Sequence, residues 1–478
     1  MNLENYLDSE KLSKNIHNYK SIFFYRICGT GMGAAACLMK EAGFNVSGAD
    51  SSFAPPMSTY LESTGIELSN LEDVDARRLR EYDLVVVGNS VPKGSRDAQI
   101  VEECGVPFCS FPTAIGTLIL RDKAVIGVAG THGKTTTTFF LTKMLEALGE
   151  RPGYFIGGIM DDRPPARKGS DQGRNYFVIE SDEYDSAYFE KFSKFHRYEI
   201  DHLLLTSLEF DHADIYENLE QIKDEFQRLR KVELTSEIMC FDYSAVRELV
   251  DDIPSKNLLV YGRDQSNPKD IRFEGGKSLF TISFKGEEHK FSTNILGAHN
   301  IENLTACILF LLSEGFEVNR VNDALSSLSM VKRRQEERGR YKSLIVIDDF
   351  AHHPRAIKET LKTLALKYPQ KKIFTIFEPI SSTARSNVFQ KDYIDSFEGS
   401  EKIIFANSQI DTTARSYENL DLAILSKEIE KKHGIPVVEV QELSDLMDEI
   451  DSISGNDAVL AVLSNRTCLG LWNSNFVE

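Results

Sequence analysis

The sequence predicts three compact α/β domains, with doubly wound, largely parallel sheets. Apolar runs of strand length alternate with helical patterns along the chain, the rhythm that parallel sheets require. Two of those runs lead directly into glycine-rich turns that open helices. A chain of 478 residues also exceeds what one ordinary core organises.

In the first domain, residues 1–120, Ser21–Cys28 reads as a strand and Gly33–Glu41 as a helix ended by Gly43. Phe44–Gly48 and Tyr82–Val87 are its next strands. The second domain, 121–331, opens on the strand Ala124–Val128. A helix follows that carries Phe139, Phe140, Met144, Leu145 and Leu148, with Gly149 as its stop. Tyr176–Ile179 and His202–Thr206 are further strands; between Ile282 and Ile295 the pattern is antiparallel, and a helix starts near Ile301. The third domain, 332–478, alternates the strands Leu344–Ile347, Ile373–Phe377, Lys402–Phe405, Val437–Val440 and Ala458–Leu463 with helices, one of which carries Ile357, Leu361 and Leu364.

With 41% hydrophobic and 27% charged residues the chain is that of a soluble globular protein. Its net charge of −18 argues against broad binding to nucleic acid or anionic membranes, though a local loop on an acidic protein still binds phosphate. No apolar stretch reaches the roughly 20 residues that span a bilayer. The first residues lack the pattern of a signal peptide. Seven scattered cysteines without a C-x-x-C pair suit reduced thiols, so a cytoplasmic protein is expected.

The first glycine turn contains Gly29, Thr30, Gly31, Met32 and Gly33 between a strand and a helix. Glycines there let a ligand approach the backbone, and the helix N-terminus favours an anion. The third glycine comes too early for the strict dinucleotide fingerprint, so a nucleotide-type ligand is expected rather than a nicotinamide cofactor. Asp50, ending the next strand, is placed to accept bonds from sugar hydroxyls.

The second turn, Gly130-Thr131-His132-Gly133-Lys134-Thr135-Thr136, has the features of a phosphate-binding loop. Its backbone N–H groups would cradle phosphate, Lys134 would lie beside the terminal phosphate, and Thr135 would offer a hydroxyl to Mg2+. The general template places a glycine where Val128 stands. Two acidic clusters, Glu180-Ser-Asp-Glu-Tyr-Asp185 and Glu209-Phe-Asp-His-Ala-Asp214, directly follow strands and could hold divalent ions beside a transferring phosphoryl group. In Asp348-Asp-Phe-Ala-His-His-Pro354 a zinc site is not expected, because adjacent histidines do not aim at one ion; a turn touching substrate or nucleotide is. Lys332-Arg-Arg334 reads either as a solvated charge run or as an anion clamp at a hinge.

These motifs, in this order and over nearly the whole chain, resemble the Mur ligase family, ATP-dependent ligases of bacterial cell-wall precursor synthesis. That family uses a shortened loop, G-T-x-G-K-[ST], which accounts for Val128. The resemblance implies a Rossmann-like first domain binding UDP-N-acetylmuramate, a central P-loop ATPase-like domain and a Rossmann-like peptide-binding third domain. It implies that Gly297-Ala-His-Asn-Ile-Glu-Asn303 brings Asn300 and Asn303 to the nucleotide, with Arg334 and Asp349 as further ATP contacts. Lys134, Glu180 and His212 become the catalytic set, with Thr135, Glu180 and His212 as metal ligands. Gly29–Gly33, Asp50, Asn89 and Ser90 become the UDP-sugar site, and His352 and Arg385 peptide contacts.

Within the family, Ser181–Phe189, Ser207–Tyr216, Pro55–Thr59 and the segment from Glu378 to Gln390 are similar to members that join UDP-N-acetylmuramate to L-alanyl-γ-D-glutamyl-meso-diaminopimelate in peptidoglycan recycling. The implied reaction runs through an acyl phosphate, with ATP and Mg2+. A ligase adding L-alanine is the nearest alternative, and a non-catalytic nucleotide-binding scaffold a second. Gln227 stands where some members carry a carbamylated lysine, so that modification is not expected. Ile380 and Ser386 stand where arginines are expected, which leaves Arg385 as the candidate there.

Overall fold

A computed structural model describes residues 1–55, 57–158, 160, 163–412 and 417–477, so Pro56 of the Pro55–Thr59 run lies outside the described residues. Contacts divide the chain into two compact units. The first comprises Met1–Leu208, Lys223–Tyr261 and Leu309–Ser313; the second comprises Glu209–Ile222, Gly262–Ile308 and Glu314–Glu478. Among the described residues no helix is long and apolar enough to cross a membrane.

Among the described residues the first unit holds two large sheets and a two-stranded antiparallel one, Asp185–Ala187 with Glu190–Ser193. A five-stranded parallel sheet runs in the order Glu67–Asn70, Asn45–Asp50, Ser21–Tyr25, Leu84–Val87, Phe108–Ser110. Its central strands are buried on both faces, which is why they read as continuous apolar runs. The first strand ends at Tyr25, short of the expected Cys28, because Arg26 turns the chain with φ 62°. The helix after it starts at Thr30, not Gly33, and stops at Gly43, whose φ is 98°.

The second sheet has seven strands, in the order Leu258–Tyr261, Ser236–Cys240, His202–Leu205, Ala124–Ala129, Tyr176–Ser181, Gly153–Phe155, Ala166–Arg167. All neighbours are parallel except the last pair. The helix Lys134–Ala147 follows the central strand and is ended by Gly149 at φ 92°.

Glu225 braces this unit from below the surface. It accepts the Ser193 N–H at 2.7 Å and lies 3.0 Å from His196 Nε2. Burial works against its charge, but the bonds from His196 and Ser193 outweigh that and hold its pKa down to about 2. An unfolded glutamate titrates near 4.3. The stability that Glu225 contributes is therefore complete above the unfolded value and lost as the pH falls from about 4.5 towards 2. Urea midpoints measured from pH 3 to 7 should show a shallower acid decline in Glu225→Gln than in the wild type; parallel curves would contradict this.

The second unit holds a six-stranded sheet ordered Glu336–Tyr341, Leu344–Asp349, Ala458–Ser464, Lys372–Glu378, Lys402–Ala406, Val437–Val440. Only the first pair is antiparallel. Strand alternation sends Ile345, Ile347, Val459, Ala461 and Phe377 to one face, where Ile357, Leu361 and Leu364 of the helix Pro354–Lys367 cover them. Leu344, Val346, Leu460 and Val462 go to the other, under Leu446 and Ile450 of the helix Leu443–Ile453. Helices on both faces make it doubly wound.

The antiparallel stretch expected between Ile282 and Ile295 is a three-stranded sheet, Lys269–Glu274, Lys277–Phe284 and Glu287–Thr293. Its first strand is polar and only half-buried, so it carries little apolar signal. The next helix runs Ala298–Ser313, starting ahead of Ile301.

Candidate active site

In the first unit, the strands Ala124–Ala129 and Tyr176–Ser181 pair with Val128 opposite Glu180 and Ala129 opposite Ser181. Val128 is fully buried inside its strand, so the loop cannot begin there; it begins at Gly130. Gly130 has φ 128°, and a Cβ on it would lie 2.6 Å from Thr206 Oγ1 and 2.7 Å from the Ser207 carbonyl. Both conformation and space require glycine. Gly133, at φ 83°, opens the helix Lys134–Ala147, which has no side-chain cap.

The far strand also shapes the loop. Ser207 Oγ accepts the His132 N–H at 2.7 Å, and the Thr206 hydroxyl donates to the His132 carbonyl. With Thr131 N–H 3.4 Å from the Ser207 carbonyl, the curl is held on its outer side.

Lys134 donates to the Gly130 carbonyl and to Glu183 Oε2, each at 2.7 Å. Its side chain is 11% exposed and that of Glu183 3%, so the pair is shielded from solvent. Burial opposes the ammonium, but Glu183, Asp182 and Glu180 outweigh it and hold the Lys134 pKa above the usual lysine value. Thr135 donates to Glu180 Oε1 at 3.0 Å, and the Gly157 N–H donates to Glu180 Oε2 at 2.8 Å. Burial raises the Glu180 pKa against the pull of Lys134. Thus the structure brings Gly130, Lys134, Thr135 and Glu180 together. The sequence places Glu183 in an acidic cluster suited to divalent ions; its pairing with Lys134 is what the structure adds.

The other turn of this unit is Cys28–Gly33. Around Gly29 there is open space, and Gly31 meets only Phe111 at an ordinary 3.5 Å. A Cβ on Gly33 would lie 2.3 Å from Met57 Sδ. Thus only the last glycine is closely packed, against the Met57 side chain. Thr30 is exposed, Met32 is buried, and Asn89 and Ser90 are exposed just beyond the strand Leu84–Val87. Asp50 accepts the Cys28 N–H at 2.7 Å and the Ser51 N–H at 2.7 Å, so its carboxylate shapes the turn itself.

In the second unit, Asp211 is buried, and its Oδ1 accepts the His212 N–H at 2.7 Å. Burial raises its pKa, but His212, His352 and His353 outweigh this and hold it well below the usual carboxylate range. His212 itself has φ 56°. His352 Nδ1 lies 3.0 Å from the Phe350 carbonyl, and His353 caps the helix Pro354–Lys367.

Asn300 is buried and donates to the Leu296 carbonyl at 2.8 Å; Asn303 is buried on the same helix. Gln335 Nε2 lies 3.3 Å from His299 Nε2, and the Gln335 N–H donates to Asp349 at 2.8 Å. The Arg334 guanidinium lies 4.8 Å over the Phe350 ring. Asp349 also accepts the Ala351 N–H at 2.7 Å. So the segment 297–303, the basic run and the Asp349 turn form one connected set, with Asp349 tying its backbone together. Arg385 lies on the loop after the strand Lys372–Glu378.

Three family models match the chain in succession: Mur ligase family, catalytic domain, over residues 21–123; Mur ligase middle domain over 128–311; and Mur ligase, glutamate ligase domain, over 333–464. A UDP-N-acetylmuramate–L-alanyl-γ-D-glutamyl-meso-2,6-diaminoheptandioate ligase of Haemophilus influenzae is 36% identical over 78% of this chain and 82% of its own. The chain belongs to the Mur ligase family. Members of this family are ATP-dependent ligases that form amide bonds, and this Mur ligase is an enzyme of that kind. A UDP-N-acetylmuramate–L-alanine ligase of Streptococcus gordonii is 30% identical over 91% of this chain and 93% of its own. The crystal structure of a murein peptide ligase from Psychrobacter arcticus aligns with a TM-score of 0.69 at 27% identity, covering 95% of this chain and 97% of that one.

Proposed function

We propose that this Mur ligase joins UDP-N-acetylmuramate to L-alanyl-γ-D-glutamyl-meso-diaminopimelate, at the expense of ATP, in peptidoglycan recycling. The buried Lys134 ammonium, at the mouth of a left-handed glycine loop and beside Glu180, carries the phosphoryl-transfer part of the reading. The 36% identity to the tripeptide-adding relative supports the choice of substrates.

A carboxylate does not react with an amine near neutral pH, so the muramic acid carboxyl must be activated. Its oxygen attacks the γ-phosphorus of ATP, ADP leaves, and an acyl phosphate forms. The peptide amine then attacks the acyl carbon, and the tetrahedral intermediate expels inorganic phosphate as nitrogen loses its proton. Lys134 stabilises charge on the γ-phosphoryl oxygens, and the loop N–H groups orient the phosphates. No side chain need form a covalent intermediate; positioning and charge stabilisation carry the rate.

Glu180 and Thr135 offer two hard oxygen donors 3.0 Å apart, a set that suits Mg2+. When bound there, Mg2+ would supply charge neutralisation on the phosphates. The role of His212, which lies in the second unit, rests on the family resemblance alone. So do the nucleotide roles of Asn300, Asn303, Arg334 and Asp349 and the UDP-sugar roles of Gly29–Gly33, Asp50, Asn89 and Ser90.

Phosphate release with ATP and UDP-N-acetylmuramate should require an amine, and the tripeptide should exceed L-alanine in kcat/KM by at least about 100-fold. A preference for L-alanine would make this an alanine-adding ligase. Absence of release with both amines would leave a nucleotide-binding scaffold.

A further inference from the structure

Two positions where the family resemblance leads one to expect arginine are closed. Ile380 is 5% exposed, and Ser386 is fully buried with its hydroxyl donating to the Thr383 carbonyl at 2.7 Å. A guanidinium at either place would have to displace packed core. Positive charge nevertheless gathers nearby, from two loops. The strands Lys372–Glu378 and Ala458–Ser464 are parallel neighbours with Glu378 opposite Ser464. The loops that leave them, carrying Arg385 and Arg466, therefore emerge side by side at the carboxyl edge of the sheet, where α/β folds bind ligands.

Arg385 uses one terminal nitrogen on the Ile380 carbonyl, at 2.8 Å, while its Nε is buried with no hydrogen-bond partner. Arg466 is exposed, and its guanidinium makes no hydrogen bond or ion pair among the described residues. Its backbone is fixed instead: the N–H donates to Ser464 Oγ at 3.0 Å and the carbonyl accepts from Arg333 at 2.9 Å. Between the two loops, Asn465 Oδ1 is a buried acceptor that also lacks a partner. The Ala213 N–H donates to Thr383 Oγ1 at 3.2 Å and the Thr412 hydroxyl to the Ser382 carbonyl at 3.1 Å, which brings the adjacent Asp214 and Asp411 to the Arg385 loop. Burial, then the charge of Arg466, lowers the Arg385 pKa, while these two carboxylates act in the opposite sense. Two guanidiniums near enough to repel, with a buried N–H to spare, make an anion site; the flanking carboxylates and Asn465 suit an ammonium.

We infer that Arg385 and Arg466 clamp the distal carboxylate of the peptide's third residue, and that Asp214, Asp411 and Asn465 face the ammonium beside it. The ligand class is a zwitterionic amino-acid end, which meso-diaminopimelate has and lysine lacks. Arg466 is then a specificity-determining residue. This inference rests on the tripeptide reading above.

The test is steady-state kinetics of wild type, Arg466→Ala, Arg466→Lys and Arg385→Ala with three peptides: the diaminopimelate peptide, its distal amide and the lysine analogue. In the wild type, amidation or lysine should raise KM about 30-fold, the worth of a charge-assisted bond. Arg466→Ala and Arg385→Ala should raise the KM for the parent peptide as much, leave those for ATP and UDP-N-acetylmuramate within twofold, and no longer distinguish the three peptides. Arg466→Lys should fall between wild type and Ala.

A parent-peptide KM unchanged in both alanine variants overturns the clamp, as does a full amide penalty that persists in Arg466→Ala. In either case wild-type turnover of the parent peptide leaves the proposed function standing. A wild type that ligates L-alanine but no tripeptide overturns both.

Discussion

Lys134→Ala lowers kcat for amide formation on the order of 1,000-fold, the loss expected when one preorganised charge is taken from a phosphoryl-transfer site. The ammonium is not on a mobile surface arm: the Gly130 carbonyl and Glu183 hold it within the loop. The same change should also weaken the fold. Glu183 is 2% exposed, and the loss of its ammonium costs about 3 kcal/mol. The two effects separate in the double variant Lys134→Ala, Glu183→Gln. Its urea midpoint should recover towards the wild type, while the single-turnover rate of acyl-phosphate formation stays depressed. Recovery of both would mean that Lys134 supports the fold and not the reaction.

The largest purely structural effect is expected at Glu378. This carboxylate is 2% exposed and accepts three bonds, from Ser464 Oγ at 2.5 Å and from the N–H groups of Cys468 and Leu469 at 3.0 Å each. It reaches from the end of one strand to the loop beyond its neighbour. Cys468 and Leu469 are consecutive non-glycine residues with φ 54° and 50°, a conformation that costs each residue about 1 kcal/mol or more. Glu378 is the group that holds them there. Glu378→Ala leaves the buried Cys468 N–H and the half-buried Leu469 N–H without this acceptor and should cost about 3 to 5 kcal/mol in urea unfolding. Glu378→Gln should cost less, because one carbonyl remains to accept. A loss below about 1 kcal/mol for the alanine variant would show that the loop is fixed by other contacts.

How far the sequence could be read depended on burial. The runs Leu84–Val87 and Leu344–Ile347 were visible because a sheet covered on both faces makes them apolar throughout. The phosphate-type loop was visible because Gly130 and Gly133 must be glycine for reasons of φ. Lys269–Glu274 was not visible, since only Ile271 and Phe273 in it are apolar and none of its residues is fully buried. Asp50 could be seen as an acid at a strand end, but not as the acceptor that shapes its own turn, because that depends on where the Cys28 N–H points. The pairing of Glu183 with Lys134 and the place of Arg466 beside Arg385 were hidden for a related reason. The partners lie 49 and 81 positions apart in the chain, and no local pattern marks such pairings.

The charge count around Lys134 has a further consequence. Lys134 and, through its 2.9 Å contact with Asp182, Lys194 face Glu180, Asp182 and Glu183, so the idle loop is net negative by one. Orthophosphate or sulfate drifting in from the medium meets repulsion and a lysine already engaged. Under the proposed function, ATP accompanied by a divalent cation would reverse that balance and free the lysine. The pocket thus filters by counter-ion as much as by shape, and abundant small oxyanions should be poor inhibitors of this ligase.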